Sequence, residues 1–127
     1  MRIPLDPAST AFYHQYVLTG DSRNHSIALR CESLLDRNHL AQALQLTMQR
    51  HPLLRSRAVA DRSTPRYWYY WETLEGEAAL PLPLTWVEVE CAKNRTRQEI
   101  RKIEQEQLNL PICLEQSYPF RVTAFQC

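Results

Sequence analysis

The chain has 127 residues, 44% of them hydrophobic, and its 15 basic and 14 acidic side chains leave a formal net charge of +1. That length and composition are those of one globular domain over residues 1–127 with a real core, and they exclude collagen-like, disordered and disulfide-scaffold classes. A near-neutral surface offers no general field to hold nucleic acid or an anionic membrane, so neither is expected as a partner.

Only two glycines occur, Gly20 and Gly76. Loops that wrap phosphate need several within a few residues, so nucleotide-loop folds are excluded. The start, Met1-Arg2-Ile3-Pro4-Leu5-Asp6-Pro7, has no apolar run of signal-peptide length. No later stretch approaches the roughly 18 apolar residues of a membrane span, so a cytoplasmic protein is expected. Cys31, Cys91, Cys113 and Cys127 form no C-x-x-C pair. They are expected to be reduced thiols, the first three buried and inert, and no zinc site is expected.

In chain order, Asp6 and Pro7 open a helix over 8–17 whose apolar face is Phe12, Tyr13, Tyr16 and Val17. Turn formers at 19–24 precede the alternating run 25–31, which predicts a strand with Ile27, Leu29 and Cys31 facing the core. Asp36 caps a second helix reaching Arg50, where Leu40, Ala43, Leu44, Thr47 and Met48 recur at helical spacing. Pro52 forces its exit, and 53–59 predicts a strand with Arg55 and Arg57 on one face.

After a turn at 61–65, the aromatic run 66–71 predicts a strand paired with the arginine-bearing one. Residues 74–83 read as a loop and 84–90 as a half-exposed strand, with Thr85, Val87 and Val89 opposite Trp86, Glu88 and Glu90. Thr96 and Glu99 form a capping box for a polar surface helix to about Gln107, its apolar stripe little more than Ile100 and Ile103. A last strand pattern covers 121–126. The order predicts a mixed α/β (α+β) domain, a mixed β-sheet flanked by helices.

At Arg50-His51-Pro52-Leu53-Leu54-Arg55-Ser56-Arg57, directly after the second helix, the chain resembles the Arg-His-x-x-Leu-Arg-Thr-x-Phe motif of peptide-synthetase condensation domains. These belong to the chloramphenicol-acetyltransferase-like acyltransferase superfamily. The stretch from Leu110-Pro111 through Ser117-Tyr118-Pro119-Phe120-Arg121-Val122 is similar to that family's approach to its catalytic strand. Leu35-Asp36 before the second helix also fits, whereas Ser9-Thr10-Ala11 is followed by Phe12 where the family's first motif has glutamine.

The resemblance implies the N-terminal part of a two-lobed enzyme that moves acyl groups from a CoA or phosphopantetheine carrier-protein thioester to a hydroxyl or amine. It implies no cofactor bound by this part, and a structural role for Arg50, His51, Leu54 and Arg55 as family-motif residues. The family's His-His-x-x-x-Asp motif, whose second histidine is the general base, is not present: His14, His25, His39 and His51 are isolated and none has an acid four residues later. No catalytic residue is therefore assigned. The expectation is an incomplete lobe, inactive alone, whose last strand lacks a partner within the chain and which self-associates or joins a C-terminal lobe. The alternative is a non-catalytic binding or assembly module that uses an open sheet edge and aromatic surface.

Each candidate also has a purely architectural role. His51, at a helix exit, can bond the last carbonyls rather than act as a base. Arg55 and Arg57 can bind an acidic partner or phosphopantetheine, or pair with Glu88, Glu90 or neighbouring strand carboxylates; pairing is the expectation. The aromatic run lacks the cationic groove of a nucleobase platform and is expected to pack in the sheet. Lys93, Arg95, Arg97, Arg101 and Lys102 are diluted by Glu99, Glu104 and Glu106, which favours a solvated face over a carrier-protein dock. No cysteine has a histidine near it in sequence and no G-x-S-x-G elbow exists.

Overall fold

The computed structural model describes residues 2–20, 24–63, 68–89 and 95–126. Helix α1 (Pro7–Thr19) starts where Asp6 accepts from the Ser9 N–H at 2.8 Å and the Ser9 hydroxyl at 2.7 Å, with Pro7 in the first turn. It stops at Gly20, whose φ of 72° is a left-handed value that a side chain would strain. Helix α2 (Arg37–Arg50) starts in the same way, Asp36 accepting from the His39 N–H at 2.9 Å. Both starts rest on contacts three residues long, so each cap is written beside its helix in the sequence.

The described residues also form five strands, in chain order β1 (Arg2–Pro4), β2 (Ser56–Asp61), β3 (Trp68–Thr73), β4 (Leu84–Glu88) and β5 (Val122–Gln126), with α3 (Arg95–Asn109) between the last two. They make two sheets. The first is antiparallel in the order β1-β3-β2, and the second is the parallel pair β4-β5. The mixed α and β composition stands, but the expected single sheet is divided.

In the antiparallel sheet, Ser56, Ala58 and Ala60 of β2 lie opposite Thr73, Trp71 and Tyr69 of β3. Small residues facing large ones let the aromatic rings lie across one face, where Leu5, Tyr13 and Ala58 form a core with Tyr69, Trp71 and Leu114 packed around it. The Tyr13 and Tyr69 rings meet edge-on, centroids 4.7 Å apart at 64°. Ser56 is fully buried, and its hydroxyl donates to the Pro52 carbonyl at 2.7 Å. The other face carries charge. Glu72, opposite both Arg2 and Arg57, takes Arg2 at 3.5 Å and Arg57 at 3.2 Å. Cross-strand pairing of this kind contributes about 0.2–1 kcal/mol per pair.

A second cluster, Met48, Leu74 and Tyr118, joins α2 to the later loops, with Leu44, Leu54, Leu80, Leu82 and Phe120 packed against it. The β4-α3-β5 segment is a strand-helix-strand crossover, as parallel pairing requires, registered Leu84 to Val122, Trp86 to Ala124 and Glu88 to Gln126.

Several expectations are corrected. The run 25–31 is not a strand. Ile27 and Leu29 are 87% and 85% exposed, since alternation makes a strand only where a neighbouring backbone pairs with it. The expected strand at 53–59 begins instead at Ser56, because Pro52–Arg55 closes a 3₁₀ turn. Arg55 consequently leaves the strand face that Arg57 occupies. The apolar face of α1 reduces to buried Tyr13 and half-buried Tyr16, with Phe12 and Val17 exposed, and that of α2 centres on Met48, with Ala43 and Thr47 exposed.

Thr96 lies inside α3, not at its cap. Strand β1 was not legible in so short and proline-bearing a stretch. β5 has a partner after all, in β4. Cys31 is exposed and Cys113 half-buried, contrary to the expected burial. Cys91, Cys127, Glu90, Lys93, the start of the aromatic run at 66–67 and parts of the turns at 19–24 and 61–65 lie outside the described residues. Among the described residues no helix is long and apolar enough to cross a membrane.

Candidate functional site

The residues singled out by the arginine motif sit where α2 hands over to β2. Arg50 ends the helix and is exposed. His51 caps it through its backbone, its N–H donating to the Thr47 carbonyl at 3.0 Å and its own carbonyl accepting from Leu54 at 2.9 Å. Its ring is exposed and makes no hydrogen bond among the described residues, so the main chain does the capping expected of the imidazole. Leu54 turns inward onto the Met48, Leu74 and Tyr118 cluster.

Arg55 reaches along the sheet end and places Nη1 2.5 Å from Glu75 Oε1. Its carbonyl accepts from the Leu74 N–H at 2.9 Å, while its Nε is buried with no acceptor among the described residues. The guanidinium hydrogen bond holds the Glu75 carboxyl below the usual glutamate range. Arg55 and Arg57 thus pair with Glu75 and Glu72, the neighbouring carboxylates, and not with Glu88. The aromatic run is used for packing through Tyr69 and Trp71. On α3, Lys102 lies 3.9 Å from Glu106, an exposed pair one turn apart.

The late segment is built onto this hand-over. The Ala58 N–H donates to the Leu114 carbonyl at 2.7 Å, so Ala58 takes its outer-edge partner from that segment. Tyr118 is 5% exposed, and its phenol accepts from the Leu80 N–H at 2.9 Å and donates to the Leu80 carbonyl at 3.1 Å. Arg121 donates through Nη2 to the Gln107 carbonyl and, at 2.5 Å, to that of Leu110. A cation at the negative end of α3 satisfies carbonyls that the helix leaves open.

A concavity of about 160 Å³ opens between α1 and the antiparallel sheet, lined by Tyr13, Val17, Ala60, Arg62, Tyr69 and Glu115. The Tyr13 phenol donates to Glu115 across 102 residues of sequence, and the His14 ring meets Tyr69 edge-on at 4.9 Å. No local pattern announces a pair so far apart, and sequence reasoning missed it. Burial, then the hydrogen bond to Glu115 and its charge, push the Tyr13 phenol above the ordinary tyrosine range. Among the described residues no group of three or more histidine, cysteine, aspartate or glutamate side chains could hold a metal ion.

The raised phenol has a consequence at alkaline pH. Folding favours the protonated Tyr13, so its contribution is complete below the unfolded value of about 10 and is lost as pH rises through the higher folded value. Tyr13→Phe removes the hydrogen bond and is expected to cost about 0.5–1.5 kcal/mol at pH 7. Chemical denaturation at a series of pH values should show that gap constant up to about pH 10 and narrowing above it. A gap that widened there would contradict the assignment.

No protein-family model matches the chain, and no curated protein matches it.

Proposed function

We propose that the chain is the N-terminal lobe of a condensation-type acyltransferase, part of a chloramphenicol-acetyltransferase-like fold. It forms scaffold and channel wall while a histidine base in the complete enzyme accepts the proton of the attacking hydroxyl or amine. The acyl group arrives on a CoA or carrier-protein thioester. One observation carries the reading: the two segments that resemble the family, 50–57 and 110–122, meet around one cluster, where Leu54 and Phe120 pack on Met48, Leu74 and Tyr118. The Ala58 to Leu114 hydrogen bond at 2.7 Å then continues the contact one residue beyond the first segment.

The test is replacement. This chain is fused to the N-terminus of a condensation-type catalytic lobe that carries its own His-His-x-x-x-Asp, and thiol release from an acyl thioester is followed. The chimera is expected to turn over. The chain alone is expected to show none, because without a positioned base roughly 10²–10⁴-fold of rate is forfeited from that step. A folded, monodisperse chimera without turnover would remove the proposal, and so would turnover by the chain alone that His51→Ala abolishes.

The same reading requires a cover for exposed apolar side chains such as Leu18, Leu34 and Leu46, 83%, 80% and 57% exposed. The catalytic lobe or a second copy supplies it. Light scattering across a hundredfold concentration range should show the purified chain associating as concentration rises, and a monomer throughout would exclude the second copy.

A further inference from the structure

We propose that the concavity between α1 and the antiparallel sheet binds a small zwitterion with a ring-sized apolar body, the chemistry of a free aromatic amino acid. The inference is independent of the acyl-transfer reading and starts from side chains too small to finish the core. Ser56, Ala58 and Ala60 share one face of β2 by alternation. Ala58 is covered by Leu5 and Tyr13. Ala60, opposite Tyr69, brings only a methyl group to the same face, and one turn beyond Tyr13 on α1 stands Val17, 58% exposed. The volume they leave is about 160 Å³. A cavity of roughly 150 Å³ accommodates a benzene ring. One wall is already held in place, since the Tyr69 ring is met edge-on by Tyr13 at 4.7 Å and by His14 at 4.9 Å. A preorganised wall lowers the ordering cost of binding.

The second observation is charge. Arg62 and Glu115 line this cavity, and both are exposed, which sets them at its mouth. They make no ion pair with each other, and neither belongs to an ion pair among the described residues. Glu115 accepts from the Tyr13 phenol through Oε1, which orients the carboxylate and leaves Oε2 open. Asp61, beside Arg62 in sequence, is engaged instead by the Ser63 N–H at 2.9 Å and the Ser63 hydroxyl at 2.5 Å.

A ligand of one sign therefore meets one attraction and one repulsion, an anion at Glu115 and a cation at Arg62. A zwitterion meets two attractions. Its ammonium goes to Glu115 and its carboxylate to Arg62, whose planar fork matches carboxylate geometry. Its apolar body fills the floor made by Val17, Ala60 and Tyr69.

Titration of the full chain with L-phenylalanine, followed by NMR at the Tyr13 and Tyr69 rings, tests this. Saturable shifts are expected with a dissociation constant on the order of 1 mM, the scale open to so small a ligand. Phenethylamine and hydrocinnamate, each lacking one charge, are expected to bind roughly tenfold more weakly. Arg62→Gln should let phenethylamine bind as tightly as L-phenylalanine, and Glu115→Gln should do the same for hydrocinnamate, an exchange of preference that a merely structural role would not produce. Ala60→Phe fills the cavity and is expected to abolish binding, with a thermal melt checking that the variant folds. If it does not fold, the two glutamine variants decide. Three results would overturn the proposal: no saturable shift at either ring, a singly charged analogue that matches L-phenylalanine on the parent chain, or ligand preferences unchanged in both glutamine variants.

Discussion

Met48→Asp is expected to abolish cooperative folding. Met48 is 7% exposed at the centre of the cluster that joins α2 to the loops at Leu74 and Tyr118. The surrounding side chains, Leu44, Leu54, Leu80, Leu82 and Phe120, offer a carboxylate neither a cation nor a donor, and the Tyr118 hydroxyl is engaged by Leu80. Loss of the methionine's packing costs about 2–5 kcal/mol, and burial of an unpaired charge adds several more. The total is comparable with the whole stability of a domain of this size, about 5–15 kcal/mol.

Met48→Leu, close in volume, should stay within about 1.5 kcal/mol of the parent. Leu44→Asp should be milder than Met48→Asp, because Leu44 is only half-buried and a carboxylate there can reach water. Thermal melts followed by circular dichroism check the order. A cooperative Met48→Asp transition near the parent's would mean that α2 does not use this face.

Tyr118→Ala is expected to cost about 3–5 kcal/mol, in the range of large aromatic truncations. The ring fills the same cluster, and its hydroxyl holds both backbone groups of Leu80, at 2.9 and 3.1 Å. Removing the hydroxyl alone, in Tyr118→Phe, strands the Leu80 N–H and C=O and is expected to cost about 1–3 kcal/mol. The difference between the two variants separates packing from hydrogen bonding. In urea, both should lower the midpoint without changing the slope. If Tyr118→Phe matched the parent, water would be reaching Leu80 and the loop would not be held from this side.

The parts of this protein that close on themselves were legible in the order of its amino acids. Asp6 with Ser9 and Asp36 with His39 start α1 and α2 through contacts three residues long, so composition and spacing locate both helices to within a residue or two at their starts. The pairing of β2 with β3 was legible because the two are neighbours in the chain, with small and aliphatic residues on one and aromatic residues on the other. The motif residues Arg50, His51, Leu54 and Arg55 could be named, but not where they point.

Whatever depends on distant partners was settled by the folded chain. Folding divided one expected sheet into two, made a strand of Arg2–Pro4 by giving it β3 as a neighbour, and withheld that state from 25–31 despite a better pattern. It gave Arg55 to Glu75 and Tyr13 to Glu115, and it set β5 against β4. The cause is one of range. A helix satisfies its backbone within four residues, and its cap is written beside it. A strand's hydrogen bonds and a buried side chain's neighbours are supplied from elsewhere in the chain, and no local pattern names the supplier.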